Sequence, residues 1–266
     1  MRNFKEKRIL ITGGASGIGK IMGKLALERG AELVIWDINQ ISIDKTVNEF
    51  ASLGKVSAYK IDLCDSEQIK SIASLVKKEI GTIDILINNA GIVVGKYFDE
   101  HSTQDIKRTM DINANPPMFV TSEFLNEMIA QKSGHICNIA SSAGFISNPK
   151  MSVYAASKWA VIGWSDSLRI EMQMKKTNVN ITTVTPYYIN TGMFEGVKSL
   201  IPILNPEKVA EKIIRGIENN RIIVSMPLSM HFIRLSQGIL SINMFDWFAG
   251  SVLRIYKTMD HFVGRK

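Results

Sequence analysis

Cysteine is nearly absent: the 266 residues hold two, Cys64 and Cys137. Each falls in an apolar or strand-like run, so two reduced, buried thiols are expected and no disulfide framework. The histidines His101, His135, His231 and His261 have no metal-ligand spacing, and no metal site is expected. No apolar run approaches the about 20 residues that span a bilayer. Residues 1–8 are mostly polar and carry no secretory core. These absences predict a cytoplasmic location, or at most the periphery of a membrane. Repeats, low-complexity linkers and composition breaks are also missing, which favours one large α/β domain.

Charge, by contrast, is unevenly spread. The formal net charge is +7. Arg221, Arg234, Arg254, Lys257, Arg265 and Lys266 near the end face only Asp246 and Asp260. This reads as a solvated tail or a surface for anionic lipid. A nucleic-acid partner is not expected, because no basic stripe alternates with exposed aromatics.

The first apolar run, 8–12, ends at Gly13-Gly14-Ala15-Ser16-Gly17-Ile18-Gly19, and helical periodicity follows as far as Gly30. Strand, glycine turn and helix together let backbone approach a pyrophosphate, which free N–H groups at the helix start stabilise. The second strand, 32–36, ends at Asp37, where a carboxylate can accept from ribose hydroxyls and repel a 2′-phosphate. Neither Ser16 nor Ile38 supplies a cation to offset that repulsion, so the cofactor is read as NAD rather than NADP.

The alternation continues to about residue 225. A helix at 40–53 precedes a strand at 55–61, which ends at Asp62-Leu63. A helix from Ser66 to Gly81 leads to a strand at 83–87 and then Asn88-Asn89-Ala90-Gly91. One long helix is expected over 103–131, containing Asn113. A strand at 135–140 ends at Ser141, and a helix carrying Tyr154 and Lys158 runs to about Lys176. The sixth strand, 179–185, ends at Pro186; a helix at 206–219 and a short strand at 221–225 follow. This pattern predicts a single doubly wound parallel sheet of the Rossmann-like kind, with helices on both faces. Residues 1–225 would form the NAD-binding and catalytic unit. Residues 226–266 would be an apolar helical extension packing on it as lid or interface. Gly13, Asp37, Asp62, Asn89, Ser141 and Pro186 all fall just past strand ends, where such sheets bind ligands.

Tyr154 and Lys158 stand four apart, on one face of a helix. An ammonium close to a phenol favours the phenolate and lowers its ordinary value of about 10. The pair can then exchange protons near neutral pH.

The segments Thr12–Gly19 and Asn88–Gly91, with Asn113, Ser141 and Tyr154-Ala155-Ala156-Ser157-Lys158, resemble the short-chain dehydrogenase/reductase family as far as about Arg221. The resemblance implies that Tyr154 exchanges the proton with the substrate oxygen and that Ser141 hydrogen-bonds this oxygen. It implies that Lys158 lowers the tyrosine's pKa and holds the nicotinamide ribose, and that Asn113 supports a proton-relay water. It places cofactor contacts on Gly13, Ser16, Ile18, Asp37, Asp62, Leu63, Asn89, Ile189 and Thr191, with Gly17, Gly19, Ala90, Gly91 and Pro186 in the same motifs. The family's usual Pro-Gly after the sixth strand is replaced by Pro186-Tyr187-Tyr188. The loop from there to Phe194, Trp36-Asp37-Ile38-Asn39 and the Met259-to-Arg265 stretch are similar to the epidermal retinol dehydrogenases and lipid-droplet 17β-hydroxysteroid dehydrogenases. That implies NAD-dependent interconversion of a lipophilic alcohol and its carbonyl, retinoid- or steroid-like, in a homodimer or homotetramer. Two alternatives are a 3-oxoacyl reductase, which Asp37 argues against, and a non-catalytic NAD-binding sensor or scaffold.

After residue 226, Phe232, Leu235, Ile239, Ile242 and Phe245 form one apolar stripe, and Phe248, Val252, Ile255 and Met259 another. A lid or subunit interface is favoured over membrane contact, and an apolar cover predicts a hydrophobic substrate.

Overall fold

Alternate residues of each apolar run point to opposite faces of a strand, and here both faces are apolar, so the runs require helices on either side. The computed structural model describes residues 3–264 and shows this arrangement. Arg265 and Lys266, counted above in the basic tail and the final motif, lie outside the described residues. The strands are β1 (Arg8–Thr12), β2 (Glu32–Asp37), β3 (Val56–Lys60), β4 (Ile85–Asn88), β5 (Gly134–Ile139), β6 (Val179–Pro186) and β7 (Ile223–Met226). All pair in parallel in the order β3-β2-β1-β4-β5-β6-β7. The order reverses between β1 and β4, which opens the crevice there.

One layer packs α1 (Gly17–Glu28), α2 (Gln40–Phe50) and α7 (Pro206–Glu218) on Ile9, Ile11, Leu33 and Ile35. The other packs α3 (Ser66–Glu79), α5 (Asn115–Ala130) and α6 (Ser152–Met174) on Leu10, Val34, Leu86 and Ile136, with α4 (Thr103–Asn113) beside α6. The alternation between Ile9/Ile11 and Leu10 is the strand period made visible.

Two expectations need correction. The helix foreseen over 103–131 is broken at Ala114, where α5 starts with proline in its first turn. Pro116 and Pro117 have no N–H to extend the ladder from α4, so a new helix begins. Cys64 is exposed rather than buried, because it falls in the turn after β3, where its N–H bonds Asp62. Its thiol is pushed up to about 11 by partial burial and by the Asp62 carboxylate. Cys137 is buried as expected.

The segment after β7 folds as α8 (Ser229–Ile239), α9 (Ile242–Trp247), a π turn at Phe248–Val252 and a 3-10 turn at Ile255–Lys257. Each break resets the helical phase, so neither apolar stripe runs continuously along one face. Of the first stripe only Phe245 is buried, while Phe232, Leu235, Ile239 and Ile242 are exposed. Met230, Ile233, Phe245, Ile255 and Met259 instead join a third apolar cluster with Phe145, Tyr154 and Tyr187, above the carboxyl end of the sheet. No helix among the described residues is long and apolar enough to cross a membrane.

Candidate active site

The glycine turn after β1 is tied down from two sides. Thr12 Oγ1 accepts the backbone N–H of Asn89 (3.0 Å) and of Ala90 (3.2 Å). The Asn89 amide donates back to the carbonyls of Thr12 and Gly13, at 3.0 and 3.2 Å. Gly13 and Gly17 have φ of +63° and +54°, in the left-handed region that favours glycine. At Gly19 the reason is space: a Cβ would lie 2.2 Å from the Gly13 carbonyl oxygen and 2.5 Å from Asn89 Nδ2. The glycines therefore bring the start of α1 against the turn. Ser16 at its N-cap makes no side-chain cap, which leaves the first helical N–H groups facing the cleft. That cradle fits an anionic pyrophosphate.

Asp37, at the end of β2, accepts from the backbone N–H groups of Ala15 and Asn39, both at 3.1 Å. These bonds fix the carboxylate beside the glycine turn with acceptor capacity to spare for two hydroxyls. Among the described residues no cation bonds it, and Ile38 next to it is exposed.

The cleft of about 820 Å³ is lined by Gly13, Ser16, Gly17, Ile18, Asn89, Ala90 and Gly91 on the glycine-turn side. Ser141, Tyr154, Lys158, Pro186, Ile189 and Thr191 complete the set of foreseen residues within it. Gly19, Asp37, Asp62, Leu63 and Asn113 lie outside its lining. Asp37 and Asp62 follow β2 and β3, along the sheet edge past β1, and Gly19 shapes the turn from behind.

Asn113 acts through the backbone. Its Oδ1 accepts the Ile92 N–H at 2.8 Å, while Nδ2 donates to the Ile92 carbonyl at 2.9 Å and to Ser157 Oγ at 3.1 Å. It thus clamps the stretch after β4 that carries Gly91.

Ser141 and Tyr154 are 8% and 5% exposed, and Lys158 is 4% exposed. Ser141 Oγ accepts the Ala143 N–H at 3.1 Å, which orients the hydroxyl. Lys158 Nζ donates to the Ile139 carbonyl at 3.0 Å and lies 5.7 Å from the centroid of the Tyr154 ring. Here the electrostatics differ from the sequence expectation. Burial pushes the Tyr154 phenol up to about 12, with the Ser141 hydroxyl pulling the other way. Burial likewise pushes the Lys158 ammonium down, to about 8. The Tyr154 ring belongs to the third apolar cluster, which sequence patterns could not place around it. Cationic charge entering the cleft would favour the phenolate.

Tyr187, Met193 and Phe194 also line the cleft. The Phe194 ring meets Tyr154 edge-on at 6.0 Å and Tyr188 at 4.9 Å. These three were read only as part of the loop that resembles the epidermal retinol and 17β-hydroxysteroid dehydrogenases, since no spacing rule marks an apolar wall.

Residues 7–200 match the family model described as short chain dehydrogenase. Epidermal retinol dehydrogenase 2 of Mus musculus is 36% identical, over 100% of this chain and 88% of the relative. Estradiol 17-beta-dehydrogenase 11 of Homo sapiens is 35% identical, over 87% of this chain and 78% of the relative. A Burkholderia phymatum short chain dehydrogenase/reductase solved in complex with NAD superposes with a TM-score of 0.83 at 24% identity, covering 90% of this chain and 95% of that one. With the glycine cradle, the buried Ser141, Tyr154 and Lys158 and the parallel sheet already in place, these matches establish that the chain belongs to the short chain dehydrogenase family.

Proposed function

We propose that this chain is an NAD-dependent oxidoreductase that interconverts a lipophilic alcohol and its carbonyl compound, of retinoid- or steroid-like shape, with Ser141, Tyr154 and Lys158 carrying the proton chemistry. The observation that carries the reading is the burial of those three polar side chains against an apolar wall, at the mouth of a dinucleotide cradle. Family membership and the names of the relatives support the reaction class.

NAD, held by the glycine turn, the start of α1 and Asp37, would supply the hydride acceptor. Tyr154 Oη takes the hydroxyl proton of the alcohol, and Ser141 Oγ–H donates to the oxygen as negative charge develops on it. Lys158, held by the Ile139 carbonyl, stabilises the phenolate electrostatically when charged. Asn113 keeps the Gly91 segment in position through Ile92. Tyr187, Phe194 and the apolar cluster to which residues 230–262 contribute exclude water and select an apolar substrate. We assign that last stretch the role of a cover over the unit formed by residues 1–225.

A homo-oligomer built through α5 and α6 is part of the same reading. Trp159, Ile170 and Met174 are exposed along one stripe of α6, and Phe119 is exposed on α5. The exposed apolar side chains of α8 and α9 support contact with a second apolar surface, a subunit or the periphery of a membrane.

The deciding experiment incubates the protein with NAD and a panel of apolar primary and secondary alcohols and follows NADH absorbance. Turnover that increases with substrate apolarity supports the reading. NAD binding with no alcohol turned over would refute it.

A further inference from the structure

Beyond Ser141 the apolar wall is interrupted by one polar group without a partner. A second, tight pocket shares Ser141, Tyr187 and Phe194 with the catalytic cleft and continues along Ile146, Asn148 and Ile255. Asn148 is only 9% exposed. Its Nδ2 donates to Tyr188 Oη and Thr258 Oγ1, both at 2.8 Å. Its Oδ1 is buried and has no hydrogen-bond partner among the described residues.

The neighbours fix which way the amide faces. The Thr258 hydroxyl donates its hydrogen to the Ile255 carbonyl at 2.8 Å, so its oxygen can only accept. Tyr188 Oη lies 2.9 Å from the same oxygen and can donate to it. Turning the amide over would let Tyr188 donate to Oδ1 but would set the same oxygen against Thr258 Oγ1, whose hydrogen is already given to Ile255, so two hydrogen bonds would be exchanged for one. The nitrogen therefore faces the two hydroxyls, and the oxygen remains an unspent acceptor. A buried acceptor left without a donor costs free energy, so one stays in a native fold where something else supplies the donor.

We propose that Asn148 Oδ1 is the anchor of a distal substrate subsite, and that the preferred substrate is a lipophilic alcohol bearing a second, remote hydroxyl. The proposal rests on the dehydrogenase reading above and sharpens its substrate class. One hydroxyl meets Ser141 and Tyr154; the apolar body lies against Tyr187 and Phe194; the far hydroxyl donates to Asn148 in the second pocket. A site built to receive a hydroxyl discriminates strongly against the analogue that lacks it, because the acceptor then stays desolvated and unpaired.

The test compares matched pairs of apolar alcohols, with and without a remote hydroxyl, in the wild type and in Asn148→Leu, which fills the same space without an acceptor. The wild type is expected to favour the dihydroxy member by roughly ten- to a hundredfold in kcat/KM, mainly through KM. In Asn148→Leu the ratio should fall to near unity. Should the leucine variant fail to fold, Asn148→Ala, which also removes the acceptor, must show the same loss of preference. Equal efficiency for both members in the wild type, or a ratio unchanged in Asn148→Leu or in Asn148→Ala, would overturn the subsite alone. Absence of turnover of either member by the wild type would overturn the dehydrogenase reading and the subsite with it.

Discussion

The side-chain amide of Asn113 pairs with the backbone of Ile92 as a strand residue would, accepting its N–H at 2.8 Å and donating to its carbonyl at 2.9 Å. The pairing sits where α4 ends and α5 begins, so the proline-induced break is used to aim a side chain at the chain segment flooring the cleft. An alanine Cβ at Gly91 would stand 3.2 Å from Asn113 Oδ1 and 3.6 Å from Lys158 Nζ. Asn113, Gly91 and Lys158 thus form one packed group.

Asn113→Leu removes both bonds and leaves two part-buried backbone groups of Ile92 unpaired. It should destabilise the protein by about 2–4 kcal/mol, with a fall in kcat that exceeds the change in KM. Thermal denaturation together with steady-state kinetics reads both. A variant with unchanged melting temperature would show that the clamp carries no energy.

Gly19→Ala places a methyl group against the Gly13 carbonyl, and the turn must move. A displacement of about an ångström at a positioned cofactor costs on the order of a hundredfold in rate. Calorimetric titration with NAD should show weakened binding with the fold retained by circular dichroism. Wild-type NAD affinity would contradict the close-approach argument.

Asp37→Ala removes the carboxylate held by the Ala15 and Asn39 amides. The ratio of kcat/KM for NAD over NADP should drop by on the order of tenfold, as a repulsion of one charge near the surface allows. An unchanged ratio would locate cofactor discrimination elsewhere.

Lys158 supplies a pH test of stability in the cofactor-free protein. Its folded value is lowered from 10.5 to about 8, so the unfolded chain binds more protons between those values. The penalty for burying the cation is therefore complete below about pH 8 and disappears as pH rises towards 10.5. Lys158→Met should raise stability at pH 7 by at most about 3 kcal/mol, and the benefit should shrink through that window. A benefit independent of pH would mean that the ammonium is not desolvated.

The strand positions, the glycine cradle and the Tyr154/Lys158 pair were legible because each rests on a local rule: an apolar run between turns, a turn chemistry, a spacing of four. The break at Pro116-Pro117 was equally local and should have been read as a new helix start. The proton affinity of Tyr154 was not legible, since it depends on an apolar cluster, with Phe194 edge-on to the ring, that forms only in the fold. Nor was the outward orientation of Phe232 and Leu235, because the α8–α9 break sets the phase of each short helix separately. Asn148 carried no motif, and its unpaired oxygen emerges only once Tyr188 and Thr258 are folded against it.

The central claim is that Tyr154 Oη exchanges the proton of an alcohol oxidised by NAD. Initial rates of NADH formation from an apolar alcohol, wild type against Tyr154→Phe, test it most directly, with NAD affinity measured on the same samples. The account predicts a loss of roughly 100- to 10,000-fold in kcat with NAD affinity within about twofold of the wild type. A phenylalanine variant that turns over at the wild-type rate would contradict it.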